Sequence, residues 1–323
     1  MGSVWKKMNW VKRRWSGLKN WFRHRDGQVR HPDFKVLDVT QQVPKDLVDW
    51  GLQKLHVPDL WKETKGKGIR VGVIDTGACL NHPDLKTAIV ASKDFTGKGT
   101  AEDGGGHGSH CAGIIGAREN GMGCVGVAPE CELYIAKALR DNGSGDFSYI
   151  TAAVYWLMEQ DVDIISMSLG GGYDDVPLHE ALKEAAKSGI VLIAAAGNDG
   201  VSSLDDVDYP GRYAEVVAVG AIDANMNIAG YSSVGPQVDV LAPGSNVYST
   251  YLNNSYALLS GTSMATPFVS GVVALVLAHA EKEGKNIRNV GVVHKLLMEH
   301  AIPGSGATMK YGIINPVEFF KSV

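Results

Sequence analysis

The sequence is poor in cysteine, and it lacks the unbroken apolar run that a secretory signal or a membrane span requires. Charges interrupt the aromatic residues at the start of the chain, as in Trp5-Lys6-Lys7, whereas a signal has an uninterrupted apolar region. No stretch approaches the ~18 apolar residues of a spanning helix, and Lys6 stands where myristoylation wants serine or threonine. We therefore expect a cytoplasmic protein, in which the four cysteines are reduced thiols.

Charge is distributed unevenly along the 323 residues. The first 30 residues contain nine lysines and arginines but one acid, Asp26, although the whole chain has a net charge of −4. A basic arm therefore precedes an acidic body. Residues 4–22 are predicted to form a basic amphipathic helix, because apolar residues recur at spacings of three and four. This apolar stripe comprises Val4, Met8, Val11, Trp15, Leu18 and Phe22.

An alternation of apolar strands and helices begins after Gly68. The first apolar run, Ile69 to Ile74, leads directly into Asp75. Runs that are apolar throughout are typical of strands buried on both faces, and they predict a mostly parallel sheet covered by helices. Further strands are predicted near residues 133–139, 162–169, 190–196 and 216–221, and helices near 107–117, 147–159, 177–188, 263–283 and 288–300.

Four polar residues are predicted at the ends of these elements. Asp75 follows a buried strand, His107 opens a helix of small residues, and Ser263 follows a glycine turn at the start of another helix. A serine hydroxyl becomes nucleophilic when an imidazole takes its proton, and a carboxylate holds that imidazole in the required tautomer. Asn198 ends another strand, and its amide can donate to an oxyanion together with the Ser263 N–H.

Each pattern alone is weak, but the chain order Asp, His, Ser is that of the subtilisins. The chain resembles a subtilisin from about Gln41 to its C-terminus, including the turns Tyr209-Pro210-Gly211 and Ala242-Pro243-Gly244. The region 163–171 is most similar to the intracellular subtilisins. The resemblance implies a three-layer α/β fold over residues 41–323, with a mostly parallel, roughly seven-stranded sheet.

The same resemblance implies a serine endopeptidase of broad specificity that hydrolyses protein and peptide substrates through an acyl-enzyme. Two other functions stay open at this point. A catalytically silent regulatory or binding protein would lack a triad or oxyanion residue, and none is missing from this sequence. An acyl-transfer variant, a ligase or esterase, would use the same residues. No nucleic-acid partner is expected.

The resemblance also implies where a substrate binds. The two sides of the cleft would be Gly143, Ser144 and Gly145 and, opposite them, Ser168, Leu169 and Gly170, with the peptide added between them as a strand. The first pocket would be left open by Gly170, Ala195 and Gly197, with two acids, Asp199 and Asp208, near its end. One hypothesis is that these acids draw lysine or arginine into a pocket that otherwise takes large apolar residues. The alternative is that both acids face solvent.

A calcium site is a further implication of the resemblance. Its oxygen ligands would come from an early glutamine, from an acid after the first strand and from a loop after the His107 helix. Such an oxygen shell suits Ca²⁺. The alternative is that the acid only caps a turn. The residues concerned are Gln41, Asp84, Arg118, Asn120, Met122 and Cys124.

Three sequence features, a cysteine, a pair of histidines and a glycine-rich run, have alternative interpretations. Cys111 stands where the family usually has valine and resembles the proteinase K branch, which favours either sensitivity to thiol reagents or a small buried apolar residue. His107 and His110 lie three apart but have no third ligand motif, so they indicate zinc only weakly. The run from Gly121 to Gly126 has the spelling of a dinucleotide fingerprint, but it follows a helix and does not open one.

Residues 1–40 are predicted to be an N-terminal extension, too short for the usual prodomain. Three roles are open. The extension lies across the acidic body and blocks the cleft until it is trimmed, as extensions do in intracellular subtilisins. Alternatively, residues 4–22 contact an anionic membrane surface, since tryptophan and basic residues suit that role. Alternatively, the extension is disordered.

Overall fold

The computed structural model of the chain describes residues 28–200, 207–303 and 311–323. The predicted helix at residues 4–22 lies outside them. Eight strands form a wholly parallel central sheet in the order β13-β10-β9-β8-β7-β3-β5-β4. These strands are β3 Arg70–Asp75, β4 Ile89–Asp94, β5 Glu132–Lys137, β7 Ile164–Met167, β8 Val191–Ala195, β9 Val217–Ile222, β10 Val240–Pro243 and β13 Gly312–Ile313. The predicted parallel α/β architecture is confirmed, with one strand more than expected because the short β13 extends the edge.

Helices cover both faces of this sheet, because its strands are apolar on both sides. In β8, Val191 and Ile193 join one core while Leu192 and Ala194 join the other. This alternation is the period of two that a strand imposes. The helices are α1 Trp50–Lys54, α2 Val57–Leu60, α3 His107–Gly116, α4 Phe147–Glu159, α5 Val176–Lys187, α6 Thr262–Lys282, α7 Val290–Glu299 and α8 Pro316–Lys321.

Helix α6 is the central helix of one layer. It packs against α3 and against strands β7 to β10, and its residues from Thr262 to Ala278 are all buried. Within the described residues this one helix has the length and apolar composition of a membrane span. Its burial inside the fold identifies it as a core helix of the kind that is apolar all round.

A smaller antiparallel sheet joins the N-terminal extension to the body. Its strands are β2 Lys35–Thr40, β11 Val247–Tyr251 and β12 Ser255–Ser260, in the order β11-β12-β2. Since β12 leads directly into α6, residues 35–40 lie close to the start of that helix. A third, two-stranded sheet pairs β1 Gln28–Arg30 with β6 Ser144–Asp146.

Candidate active site

Asp75 and His107 meet where β3 ends and α3 begins. Asp75 Oδ1 lies 2.8 Å from His107 Nδ1, and both side chains are fully buried. Burial by itself would raise the pKa of Asp75, but the charge of His107 and the hydrogen bonds from His107 and from the Thr76 N–H lower it. Burial opposes the charged form of His107 as well, yet Asp75 raises its pKa well above the ordinary value. The carboxylate therefore orients the imidazole and stabilises its protonated form.

Ser263 is the second residue of α6 and is fully buried. Its carbonyl oxygen accepts a hydrogen bond from Ser168 Oγ at 2.8 Å, and the Cys111 thiol lies 3.4 Å from the same oxygen. Within the described residues, Ser263 Oγ and His107 Nε2 are both buried without a hydrogen-bond partner. A nucleophile and its base are often not hydrogen-bonded before substrate binds, so the lack of a bond at these two atoms does not argue against such a pair.

The amide of Asn198 is held in one orientation beside Ser263. Its Oδ1 accepts hydrogen bonds from the backbone N–H and the hydroxyl of Thr262, each at 3.0 Å. Its Nδ2 therefore points away from Thr262, and it donates to the carbonyl of Asp33 at 2.6 Å. An oriented amide donor next to a serine at a helix start is suited to binding a carbonyl oxygen that becomes negative.

The substrate-binding residues predicted from sequence form two sides of a cleft, and residues 28–34 lie between them. We call these residues the cleft segment. Val29 pairs with Gly145 in the antiparallel β1–β6 ladder. Arg30 exchanges two backbone hydrogen bonds with Gly170, at 3.0 and 2.7 Å, and the His31 N–H donates to the Gly143 carbonyl. Leu169, by contrast, is fully buried in the core beneath the cleft.

The cleft segment also covers the imidazole of His107. The ring of His31 stacks on that of His107, with centroids 4.6 Å apart and an interplanar angle of 23°. Phe34 approaches His107 from another direction, at 4.7 Å between centroids. Burial, and secondly the charge of His107, lower the pKa of His31 to about 4. The imidazole of His31 is therefore neutral near pH 7.

Apart from Gln41, the predicted calcium residues meet around Asp84, which is fully buried. Its carboxylate accepts hydrogen bonds from Asn120 Nδ2 at 3.0 Å, from the Cys124 N–H at 3.1 Å and from the Tyr256 hydroxyl at 3.0 Å. The Arg118 N–H donates to the Asp84 carbonyl, and the Met122 N–H donates to Asn120. Gln41 is exposed and directly follows β2.

Two acids near these sites were not predicted from sequence. Asp46 accepts hydrogen bonds from the N–H groups of Asn120 and Gly121, in the loop beside Asp84. Asp103 is buried and accepts hydrogen bonds from the Thr76 hydroxyl and from the Ser109 N–H and hydroxyl, so it ties the loop after Asp75 to helix α3. The sequence signal that could have indicated Asp103 is its position four residues before His107. No local pattern marks Asp46.

The two residues that suggested zinc do not share a site. His110 Nε2 lies within 3.1 Å of the carbonyls of Val247 and Ala257, and burial lowers the pKa of this histidine to about 3. Its ring therefore joins α3 to the small sheet. Cys111 Sγ lies 3.9 Å from His107 Nδ1, and burial raises the pKa of this thiol. Asp75, His107 and Cys111 form the one cluster of metal-ligand type that the described residues contain.

The site combines a histidine oriented by a carboxylate, a serine at a helix start and an oriented amide donor, all at one edge of a parallel sheet. This combination is typical of serine hydrolases. The chain belongs to the subtilase family, whose Peptidase_S8 model matches residues 66–313. It is a serine endopeptidase of that family.

Three relatives show how close the similarity is. The chain is 45% identical to the intracellular serine protease of Paenibacillus polymyxa over 259 residues, which cover 77% of this chain and 79% of that protein. It is 42% identical to the major intracellular serine protease of Bacillus subtilis strain 168, over 83% of this chain and 85% of that protein. It is 40% identical to thermitase of Thermoactinomyces vulgaris, over 74% and 85%.

Proposed function

We propose that the chain hydrolyses peptide bonds with Ser263 as nucleophile and His107 as general base. His107 Nε2 takes the hydroxyl proton as Ser263 Oγ bonds to the scissile carbonyl carbon. Asn198 Nδ2 and the Ser263 N–H then hold the oxyanion. The imidazolium, stabilised by Asp75, gives its proton to the leaving amine, and water releases the acyl-enzyme by the same steps. The hydrogen bond of 2.8 Å between buried Asp75 and His107 is the observation that carries this assignment.

We further propose that the cleft segment inhibits this chemistry. It occupies the cleft as an added strand, with backbone hydrogen bonds to Gly143 and Gly170 on its two sides, which is how a peptide substrate would bind. This position supports the first of the three roles considered for the extension, with residues 28–34 as the blocking part. A membrane role for residues 4–22 concerns residues that the structure does not describe.

The register of the cleft segment explains why it would inhibit and not be cleaved. Counting along the strand from Arg30, the next residue on the Gly170 side is Pro32, whose carbonyl would be the one attacked. That carbonyl lies 3.3 Å from His31 Nδ1, whereas Asn198 donates to the carbonyl of Asp33. The proposed oxyanion donor is therefore bonded one residue beyond the reactive position, and the Pro32 carbonyl is not held for attack.

Inhibition by the cleft segment is expected to weaken as pH falls. The pKa of His31 is about 4 in the closed state and ~6.5 when the residue is free, so protonation favours release. Closure is complete above pH ~6.5 and weakens as pH falls towards 4. We expect the activity ratio between a 1–34 deletion and the full chain to fall about tenfold from pH 7.5 to 5.5.

The measurement compares kcat/KM of the two proteins across this range. Two other titratable groups face His31, namely His107, which lowers its pKa, and Asp75, which raises it. Both occur in the two proteins, so much of their own effect on activity cancels in the ratio. In a His31→Gln full chain the ratio should not change with pH. A pH-independent ratio in the native pair would contradict the proposal.

We propose that Ca²⁺ binds beside Asp84. Burying a carboxylate is costly unless a charge compensates it, and the three donors that reach Asp84 are all neutral. Asn120 turns its amide nitrogen towards Asp84 in this structure, so its side-chain oxygen would become a ligand on reversal of the amide. The carbonyls of Arg118, Met122 and Cys124, together with Gln41, would complete an oxygen shell. The bound ion would join β2, the loop after β3 and the loop after α3.

Chelation of calcium is expected to lower the melting temperature of the protein by about 5 °C or more, since a ligand at 100 times its Kd adds ~2.7 kcal/mol to the free energy of unfolding. Calorimetry with and without EGTA measures the shift, and magnesium should not restore it. Asp84→Asn should abolish the shift, whereas Asp59→Asn, an exposed acid, should keep it. Equal melting temperatures with and without chelator would refute the site.

A cytoplasmic location is part of the proposal. Two of the relatives are named as intracellular proteases, and the four cysteines are all free and buried in this structure. Burial raises the pKa of Cys131 to about 12 and also raises that of Cys124. These thiols are therefore protonated and unreactive at neutral pH, as expected of structural cysteines in a reducing compartment.

A further inference from the structure

A cavity of about 390 Å³ opens beside the cleft segment, next to the proposed oxyanion donor. It is lined on the enzyme side by Ser144, Gly170, Gly171, Gly172, Tyr173, Asn198, Asp199 and Asp208. The cleft segment contributes Gln28, Val29, Arg30, Pro32 and Asp33 to its wall. Pro32 stands in the position whose carbonyl would be attacked, so this cavity would receive the side chain on the acyl side of a scissile bond.

Asp208 forms part of the wall of this cavity. Its N–H donates to the Ala196 carbonyl at 2.9 Å, which places it beside the end of β8. A methyl group added to Gly170 would lie 2.6 Å from Asp208 Cβ, and one added to Gly197 would lie 3.0 Å from Asp208 Oδ2. The two glycines therefore leave the room that the Asp208 carboxylate occupies between the two sides of the pocket.

Asp199 adds a second negative charge at the mouth of the cavity. It follows Asn198 directly, and its N–H donates to Ser233 Oγ at 3.1 Å while its side chain is exposed. The cleft segment contributes one cation and one anion to the cavity wall, Arg30 and Asp33. Its departure therefore leaves the net charge of the residues that line the cavity unchanged.

We infer that this pocket selects lysine or arginine on the acyl side of the scissile bond, through the carboxylates of Asp208 and Asp199. This inference rests on the proposed peptidase mechanism and names its substrate class. A cationic side chain that enters the cavity along Gly170 meets Asp208 in a partly enclosed site, where hydrogen bonds between charged groups are strong. Pro32 places a short, neutral ring at the same position, so this residue of the cleft segment makes no such charged hydrogen bond with Asp208.

One consequence concerns the basic N-terminal arm. The first 30 residues contain nine lysines and arginines, each of which would be a cleavage position for a second copy of the enzyme. A pocket for basic residues would therefore make the arm a substrate for another copy once the cleft segment is released, and trimming would make activation irreversible.

The test uses the full chain and two peptides that differ only in one residue, lysine or acetyl-lysine, on the acyl side of a single cleavable bond. Acetylation removes the charge and keeps the aliphatic stem. A cleft segment that competes with both peptides lowers both values of kcat/KM by the same factor, so their ratio is unaffected. We expect the lysine peptide to be preferred about 10- to 100-fold.

Asp208→Asn should reduce this preference about tenfold or more, and Asp199→Asn should reduce it less, because Asp199 is exposed. Asp161→Asn, an exposed acid before β7 at the opposite edge of the sheet, should leave the preference unchanged. If Asp208→Asn does not fold, the native chain decides alone. Equal cleavage of the two peptides by the native chain overturns the inference while leaving the peptidase mechanism intact. Failure to cleave any peptide overturns both.

Discussion

Deletion of residues 1–34 is expected to raise kcat/KM for a short peptide substrate by on the order of 10²-fold. The deletion removes the cleft segment but keeps β2 Lys35–Thr40, whose ladder with β12 supports the start of α6. A tethered segment competes at an effective concentration in the millimolar range, so even a modest intrinsic affinity keeps the cleft largely closed. Initial rates of the deletion and of the full chain, taken before self-digestion, measure the difference.

A point variant in the full chain separates inhibition from any other effect of shortening. Val29 is only 1% exposed, so Val29→Asp would bury a charge and expel the cleft segment. Val39 is 48% exposed on β2, so Val39→Asp makes the same chemical change without burial. We expect activation by the first variant and none by the second. Equal activity of the deletion and the full chain would show that the segment does not inhibit.

Replacement of Ser263 by alanine is expected to lower kcat by about 10⁶-fold, the size measured when the nucleophile was removed from a subtilisin. The change deletes the one oxygen that can form the acyl-enzyme and leaves the helix start in place. It should be measured in the 1–34 deletion, so that inhibition does not mask the loss. Casein hydrolysis and peptide hydrolysis should disappear together.

A matched control for this variant lies on the same helix. Ser270 is fully buried in α6, and its hydroxyl bonds to Ser166 Oγ at 2.9 Å and to the Thr266 carbonyl. Ser270→Ala should lower stability somewhat and leave kcat within a few-fold of the parent. A Ser263→Ala protein that retains more than a hundredth of the parent activity would exclude Ser263 as the nucleophile.

The parallel sheet and the residues at its edge could be predicted because local patterns determine both. Strands that are apolar on both faces have few alternatives to a covered parallel sheet, and such a sheet brings the ends of its strands to one edge. Asp75 ends one of those strands and Asn198 follows another, while His107 and Ser263 lie at the start of helices that return over them. The structure places Asp75 against His107, and Asn198 beside the residue that precedes Ser263.

The cleft segment could be predicted only as a basic extension, because its position depends on tertiary fit. Nothing in the spacing of residues 28–34 indicates a strand. Val29 and Arg30 become β1 only because the backbones of Gly145 and Gly170 leave unpaired groups on both sides. The stacking of His31 on His107 joins two residues that no local pattern relates.

Prediction from sequence also had limits for individual acidic residues near the sites. Asp208 and Asp199 were expected near one pocket, and the structure places both on its wall. Whether they choose a basic substrate stays a prediction, as do the calcium ligands and the domain boundary at residue 40. Asp46 was missed because its partners, Asn120 and Gly121, lie more than 70 positions away, and no periodicity connects residues at that separation.

Labelling with a serine-directed fluorophosphonate tests most directly the claim that Ser263 is a nucleophile covered by the chain's own cleft segment. The full chain and the 1–34 deletion would be labelled side by side, and peptide mass mapping would locate the modified residue. We expect one label per chain, on Ser263, formed much faster in the deletion than in the full chain. A label on another serine, or equal rates in the two proteins, would contradict it.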